Sequence, residues 1–589
     1  MSINVTKPRL FGVICYFAIW VLIASFLIEV GVDEALRPFG VCRIFADAII
    51  VFCPYFLLKK RWREWAFVWW ILFAFWLFTQ TLYARTYHDL MPASSYFLVE
   101  NLDGILIDSI AGSIRAKDVV LLLLMPALWM IYRRQRDKWA LPDVSALKKC
   151  VVSAMAVVAL LGFMTLEAAK YYREEKGRTT HSFFGRFTEP VTVGMNYVIT
   201  NGIFTYGIYA LCNNLGESND LSPDERKSIG DFLASHPRSD YNGATAKGKN
   251  LIFIVVESLN SWVVDYKVMG REVCPTLNSL CRSDSSLVAL SMVSQVGDGR
   301  SSDGHFIYNV GVLPLRSGSV AVKYGSMDSQ FPSLAKSLKG YSSLAVHCDA
   351  PAFWNNTDAF QSYGFERTLN KYDLLQQEES DADNQKANDK RMFATAIQAL
   401  KHQPQPFYAQ LITITMHMPY GECGVPATWI SSDKHLPLET KNYLEKVHYF
   451  DRALGDFLDS LRNLGLYGNS VIAIASDHSE YSRDRIKNPT SNSAKIDDSL
   501  CMLVVANSPI AKRVTTAVGQ IDVFPTLLDI MGTDSQWRGI GYSMLNSSPI
   551  DFAVAKDGAS YGGDKSSEQS QRKSWDMSEK MVKYFIPAE

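Results

Sequence analysis

Four short stretches, far apart in the chain, carry residue types that could hold a cation beside a nucleophilic hydroxyl. Glu257 follows directly on the apolar run Leu251-Ile252-Phe253-Ile254-Val255-Val256. A carboxylate at the end of a buried strand is costly unless it is paired or bound to a cation. The second stretch is Gly297-Asp298-Gly299-Arg300-Ser301-Ser302-Asp303-Gly304. Its glycines let the backbone approach a ligand closely, and its serines stand at a helix start, where phosphate is favoured. The third is Thr415-Met416-His417-Met418-Pro419 and the fourth is Ser476-Asp477-His478. Glu, Asp and His with a serine hydroxyl suit one divalent cation, such as Mn²⁺, Zn²⁺ or Mg²⁺. Such a cation lowers the pKa of the hydroxyl and polarises a phosphoryl oxygen. The alkoxide can then attack phosphorus and form a covalent phospho-enzyme. Each stretch alone is unspecific: an Asp-His pair after a strand is usually a cap, and a glycine turn with serines is usually only a turn. All four in this order are far more specific.

The elements that must position these residues follow one grammar. Ser343-Leu344-Ala345-Val346 ends at His347, Phe407 to Ile414 ends near His417, and Ser470 to Ala475 ends at Asp477-His478. Helical patterns lie between them, such as Tyr443 to Leu464, which reads as an amphipathic helix packed on the sheet. Strands alternating with helices predict a mainly parallel α/β sheet flanked by helices. Polar residues just past several strand ends then converge on the carboxyl edge, where such sheets place their ligands. The acidic stretch from Gln376 to Lys390 reads as an exposed loop or helix start. His305, His402, His435 and His448 have no partner pattern and read as surface or core residues.

At 589 residues the chain is too long for one ordinary domain. Its net charge of -1 gives no sign of nucleic-acid binding. Ten cysteines are too few for a disulfide scaffold, and no CxxC pair suggests a zinc knuckle. Cys274 and Cys281 are close enough in sequence to pair in an oxidising space.

Apolar residues and Trp62, Trp65, Trp69, Trp70 and Trp76 crowd the N-terminal third, as in membrane segments. Five spans are predicted, at roughly 10–30, 42–58, 65–84, 119–132 and 150–169, the second interrupted by Arg43 and Asp47. Positive charge gathers at Lys7 and Arg9, at Lys59, Lys60, Arg61 and Arg63, and at Arg133, Arg134, Arg136 and Lys138. Five spans put all three groups on one side, which the positive-inside rule makes cytoplasmic. Everything beyond the fifth span then lies outside the cytoplasmic membrane. The segment from Ala84 to Lys117, with Phe97-Leu98-Val99 and Ile105-Leu106-Ile107, is expected along the outer interface. The expected domains are a five-span anchor over 1–170, a helical connector over 171–245, a catalytic domain over 246–548 and a C-terminal extension over 549–589.

The soluble part resembles the alkaline phosphatase/sulfatase superfamily, most closely the lipoteichoic acid synthase branch of phosphoglycerol transferases. The resemblance runs from about Asn250 to Leu545. It rests on the four stretches together with His347-Cys348-Asp349, Phe353-Trp354-Asn355 and Gly519-Gln520-Ile521-Asp522-Val523-Phe524-Pro525-Thr526. It implies that Glu257, Asp477 and His478 bind the metal, with the nucleophile Ser301 as fourth ligand, where the branch usually has threonine. Ser302 is an adjacent rival. It implies that His417 holds the phosphate and shuttles a proton, that His347 and Trp354 belong to the substrate pocket, and that Asp522 and Pro525 support packing behind the site. Where the branch has a head-group arginine, this chain has Asn356, losing a fixed charge and a forked donor. Arg300 or Arg316 is a candidate to compensate.

The function implied is transfer of a phospho-alcohol head group, phosphoglycerol from phosphatidylglycerol, to an envelope glycan or lipid. A phosphoethanolamine transferase shares the chemistry, and Asn356 makes it a rival. A sulfatase fits less well: formylglycine formation needs Pro or Ala two residues, and Arg four residues, after the modified Cys or Ser. Those positions hold Asp303 and His305. An inactive envelope scaffold would be expected to have lost Glu257, Asp477 or His478.

Overall fold

Strand Asn250–Val256 is buried along its whole length, and its side chains divide by the period of two that a strand imposes. Leu251, Phe253 and Val255 enter one apolar cluster; Ile252, Ile254 and Val256 enter another. Each such side chain contributes about 1.5–3 kcal/mol on burial, so the run is pinned between two layers of helices. The structure is a computed structural model. It describes residues 7–29, 38–87, 116–139, 221–375, 388–479 and 501–586, apart from short gaps at 237, 317, 326–330, 352, 419, 422, 549 and 557. Residue 145 and a few positions between 90 and 115 and between 198 and 208 are described as well.

The chain divides into two units, residues 1–97 with 110–217 and residues 98–109 with 218–589. The second is built on a nine-stranded sheet. Side by side run Lys512–Val514, Leu287–Val293, Cys501–Ala506, Ser470–Ser476, Asn250–Val256, Phe407–Ile412, Ser342–His347 and Arg367–Leu369, with Val518–Gly519 also on Leu287–Val293. All pairings are parallel except the two made by Cys501–Ala506, so the sheet is mixed but mostly parallel. Helices Ser301–Val310 and Val523–Met531 cover one face; Pro275–Arg282, Asp389–Leu400 and Leu438–Asn463 cover the other.

Helix Pro223–Ser235, the Phe552–Val554/Ser560–Gly562 hairpin and the last helix, Lys565–Tyr584, also feed the first cluster, through Ile229, Phe552, Trp575, Met581 and Val582. Cys274 and Cys281 are free buried thiols at the two ends of helix Pro275–Arg282. Seven helical residues separate them by about 10 Å, beyond disulfide reach.

In the first unit, Lys7–Glu29 and Lys60–Arg85 are long and apolar enough to cross a membrane, and Ile44–Leu57 is a shorter apolar helix. Helix Ala116–Arg134 covers the expected fourth span, with Pro126 inside it. The expected fifth span, the interfacial runs at 97–99 and 105–107, most of the connector and residues 376–387 lie outside the described residues. The positive groups meet at one end of this unit: Lys60 Nζ bonds Asp137 at 2.9 Å, Arg136 bonds the Lys60 carbonyl at 2.7 Å, and Phe11 packs on Trp139. Glu29, Arg85 and Asp118 meet at the other end.

Candidate metal centre and nucleophile

Parallel neighbours deliver two carboxylates to one place. Strands Asn250–Val256 and Ser470–Ser476 run in register, Val256 opposite Ser476, so Glu257 and Asp477 leave the carboxyl edge together. Asp477 Oδ1 accepts from the backbone N–H of Ser258 at 2.9 Å and of His478 at 2.7 Å. His478 Nδ1 lies 2.9 Å from the Ser479 carbonyl. A carbonyl only accepts, so the proton sits on Nδ1 and Nε2 offers its lone pair. One ligand atom from each of Glu257, Asp477 and His478 lies within 4.8 Å of the others. Ser301 Oγ completes the group, 3.2 Å from Glu257 Oε2 and 3.3 Å from His478 Nε2.

The electrostatics of this cluster call for a cation. Burial, with Asp477 beside it, holds the Glu257 carboxyl above its ordinary range. Burial likewise pushes Asp477 up to about 6 and lowers His478. Two buried acids and a neutral imidazole so close together strain against their own ionisation. A divalent ion bound through three oxygens and one nitrogen relieves that strain, so the residues present fit such an ion.

A strained turn precedes Ser301, the candidate nucleophile. Arg300 has φ 52° and ψ −122°, a conformation non-glycine residues avoid, and helix Ser301–Val310 begins immediately after it. Asp303 Oδ2 ties the turn down by accepting from the N–H groups of Gly297 at 2.8 Å and Gly299 at 3.0 Å. A Cβ on Gly299 would meet Asp303 at 2.2 Å, and one on Gly304 would meet the Asp477 carbonyl oxygen at 2.5 Å. Those glycines therefore allow the helix to seat against the strand end. Ser302, the rival hydroxyl, is buried and turned away: its Oγ bonds the Gly299 carbonyl at 2.6 Å and Ser319 at 2.7 Å.

The remaining expected residues divide. His417 is half-buried, its Nδ1 2.7 Å from the Met418 carbonyl, and its charge acts on both Glu257 and His478. Arg300 also acts on His478. His347 ends strand Ser342–His347 and is buried against Phe360 at 5.6 Å between ring centroids, with no hydrogen-bond partner for either ring nitrogen. His305, expected to be bland, packs on the same Phe360 at 5.9 Å and likewise has neither nitrogen bonded. Burial lowers both rings, His347 to about 4 and His305 to about 3, so they are neutral. Asn356 is buried with its Nδ2 unbonded. Trp354 is half-buried at φ 50° and Asn355 follows at φ 52°, a second strained turn. Arg316 does not stand in for the missing arginine: it pairs with Asp576 at 2.7 Å and bonds the Trp575 carbonyl.

Asp522 accepts from Gly519 N–H and Tyr542 N–H, at 2.8 Å each, and so holds its own turn. Two positioning residues were given no role by the sequence, although Gln520 lies in a motif quoted above. Gln520 Nε2 donates to the Asp477 carbonyl at 2.6 Å, and Asp389 Oδ1 accepts from Ile414 N–H at 2.7 Å and Thr415 N–H at 2.9 Å, fixing the loop before His417. Both contacts exist only in the folded chain.

The sequence matches the Sulfatase family over residues 249–533 and the lipoteichoic acid synthase N-terminal domain over residues 2–219. It is 26% identical to lipoteichoic acid synthase 2 of Bacillus subtilis over 502 residues, 82% of this chain and 74% of that one. It is 26% identical to lipoteichoic acid synthase of Staphylococcus aureus strain USA300 over 510 residues, 83% of this chain and 75% of that one. Among solved structures, the lipoteichoic acid synthase LtaP of Listeria monocytogenes aligns with a TM-score of 0.50 at 22% identity, covering 62% of this chain and 100% of that one. The lipooligosaccharide phosphoethanolamine transferase A of Neisseria meningitidis aligns with a TM-score of 0.53 at 13% identity, covering 90% and 97%. At those identities the two structures speak to fold alone. With both sequence families matched in order along the chain, it belongs to the alkaline phosphatase/sulfatase superfamily as a lipoteichoic acid synthase-like protein.

Proposed function

We propose that this chain is a membrane phosphotransferase that moves phosphoglycerol from phosphatidylglycerol to an envelope glycan or lipid through a phosphoserine at Ser301. The observation that carries this reading is the placing of Ser301 Oγ within 3.3 Å of both Glu257 and His478, inside the three-ligand cluster. A divalent cation held by Glu257, Asp477, His478 and Ser301, Mn²⁺ in preference to Zn²⁺ or Mg²⁺, supplies a lowered hydroxyl pKa and charge for the phosphoryl oxygens.

The chain's own residues do the rest. Ser301 loses its proton to bulk water, and as alkoxide its Oγ bonds phosphorus while the bond from phosphorus to the diacylglycerol oxygen breaks. His417, its Nδ1 tied to the Met418 carbonyl, presents Nε2. As imidazolium it protonates the leaving oxygen; as imidazole it then takes the proton of the acceptor hydroxyl, which attacks phosphorus and releases Ser301. His347, Trp354, Asn356 and Arg300 form the head-group pocket in this reading. The neutral Asn356 amide and His347 ring suit hydroxyls as partners.

The same reading puts five spans in the cytoplasmic membrane and the catalytic unit on its outer side. The meeting of the Lys60 and Arg136 loops at one end of the first unit supports a shared cytoplasmic face. A phosphoethanolamine transferase is the second reading, favoured by the absence of a head-group arginine at Asn356. The test is mass spectrometry of the Ser301 peptide after incubation with phosphatidylglycerol, phosphatidylethanolamine and Mn²⁺. A glycerol phosphate adduct, absent in Ser301→Ala, is expected. An ethanolamine phosphate adduct would overturn the first reading in favour of the second.

A further inference from the structure

The last stretch of the chain, residues 549–589, supplies none of the residues assigned to the reaction, yet it is bonded into the site. Its hairpin pairs Phe552–Val554 with Ser560–Gly562. Val554 is buried against the last helix, its carbonyl accepting from Trp575 Nε1 at 2.8 Å. The same carbonyl accepts from Gln295 Nε2 at 2.9 Å. The Gln295 N–H donates to Gln520 Oε1 at 2.6 Å, and Gln520 Nε2 donates to the Asp477 carbonyl at 2.6 Å. Two buried glutamines thus join the hairpin to a residue of the cation cluster.

In the turn of the same hairpin, Lys556 reaches the stretch that carries Ser301. Its Nζ pairs with Asp298 Oδ1. The two side chains are 16% and 9% exposed, so the pair is close to dry. The other Asp298 oxygen accepts from the Gly318 N–H at 3.2 Å. Asp298 belongs to the turn in which Arg300 holds φ 52°. A backbone in that region persists only where its surroundings over-determine it. Asp303 supplies one restraint, through the N–H groups of Gly297 and Gly299. Those bonds are local to the turn and the helix that follows it. Lys556 supplies another from 258 residues away, and it acts on the residue between the two glycines. A buried ion pair adds little net stability; its better-attested use is to fix register.

We propose that Lys556 is a positioning residue for Ser301: through Asp298 it holds the turn that sets the hydroxyl at the cation cluster. The inference rests on the phosphoserine reading of Ser301 and adds to it a part for the C-terminal hairpin.

The test uses the full chain in detergent with Mn²⁺ and bis(para-nitrophenyl) phosphate, a water-soluble diester. Each attack of Ser301 Oγ on phosphorus displaces one para-nitrophenolate. The burst then reports the rate constant of attack, and its amplitude reports the fraction of chains able to react. Lys556→Met is expected to slow the burst by about 10²-fold, the penalty for a misplacement of about 1 Å, at unchanged amplitude and unchanged KM for the diester. Lys556→Arg, which keeps the charge, should recover most of the rate. Asp298→Asn should slow the burst likewise. The double variant should be no slower than the slower single one, because both changes remove the same contact. An unslowed burst in Lys556→Met overturns the proposal. So does a burst lowered in amplitude alone, which would make Lys556 a stabiliser of the fold, and so do losses that multiply in the double variant. Head-group transfer from phosphatidylglycerol and phosphatidylethanolamine is measured alongside in wild type. A wild-type burst without transfer from either lipid counts against the proposed function and leaves the positioning role standing. A wild type without a burst overturns both.

Discussion

Glu257 and Asp477 are each adapted to a partner of positive charge, and this has a measurable sign. Both carboxyls are raised by burial, Asp477 to about 6. Without a cation, burial favours the protonated form of each. Asp477's contribution is therefore full below the carboxyl's unfolded value and lost as pH rises through about 6. Asp389, raised to about 6, Asp522, raised to about 7, and Asp303, raised to about 8, act in the same direction, all through burial. The cation-free protein is accordingly expected to lose thermal stability between about pH 5 and 8. Mn²⁺ binding competes with the same protons, so its affinity should rise over that range, by up to about tenfold per pH unit for each proton displaced. Unfolding temperatures measured with and without Mn²⁺ should diverge as pH increases; parallel curves would mean that the cluster does not bind the ion. Ser301 and Ser302 show why one residue in sequence is not interchangeable with its neighbour. A helix turns about 100° per residue, enough to send one hydroxyl to the ligand cluster and the other to Gly299 and Ser319.

The strands that carry the site were readable because their apolar runs end in polar residues. Asn250–Val256, Ser342–His347, Phe407–Ile412 and Ser470–Ser476 all lie where those runs predict them. No strand was read at Cys501–Ala506, and its antiparallel direction has no signature of its own, since a strand buried on both faces looks the same whichever way it runs. The roles of Gln520 and Asp389 were illegible because their partners lie 43 and 25 residues away, through contacts that only the folded sheet creates. The motif Gly297 to Gly304, by contrast, announced a close backbone approach, and the structure shows what is approached. Gly304 sits against the carbonyl of Asp477, so the helix that begins at Ser301 and the strand that ends at Ser476 are registered by the lack of a side chain. Gly304→Ala would place a methyl 2.5 Å from that backbone oxygen, and neither element can yield cheaply. The expected cost is about 1–3 kcal/mol of stability. Displacement of Ser301 from the cluster should also cut turnover more than Mn²⁺ affinity, since Glu257 is on a different strand. Calorimetry and steady-state kinetics on this variant separate the two effects.

At the scale of the whole chain, the division of labour is visible in which residues build which core. Both clusters around the sheet draw only on residues from Ile229 to Ile586, and the membrane unit's cluster only on residues from Phe11 to Tyr206. These clusters are made of described residues, and those around the sheet all lie beyond Ser218, so a chain beginning there should keep its sheet and its cation site. What it should lose is concentration. A tether holds the catalytic unit at an effective concentration of donor that free diffusion does not reach, an advantage of about 10²–10⁴ where the geometry allows engagement. The fragment 218–589 is thus expected to cleave a water-soluble phosphodiester as fast as the full chain, because Ser301, Glu257, Asp477 and His478 all remain. On phosphatidylglycerol in vesicles its rate should fall by about 10²-fold or more. Equal loss on both substrates would mean that the membrane unit shapes the active site itself. Equal activity on vesicles would mean that the donor reaches the site without passing along the membrane surface.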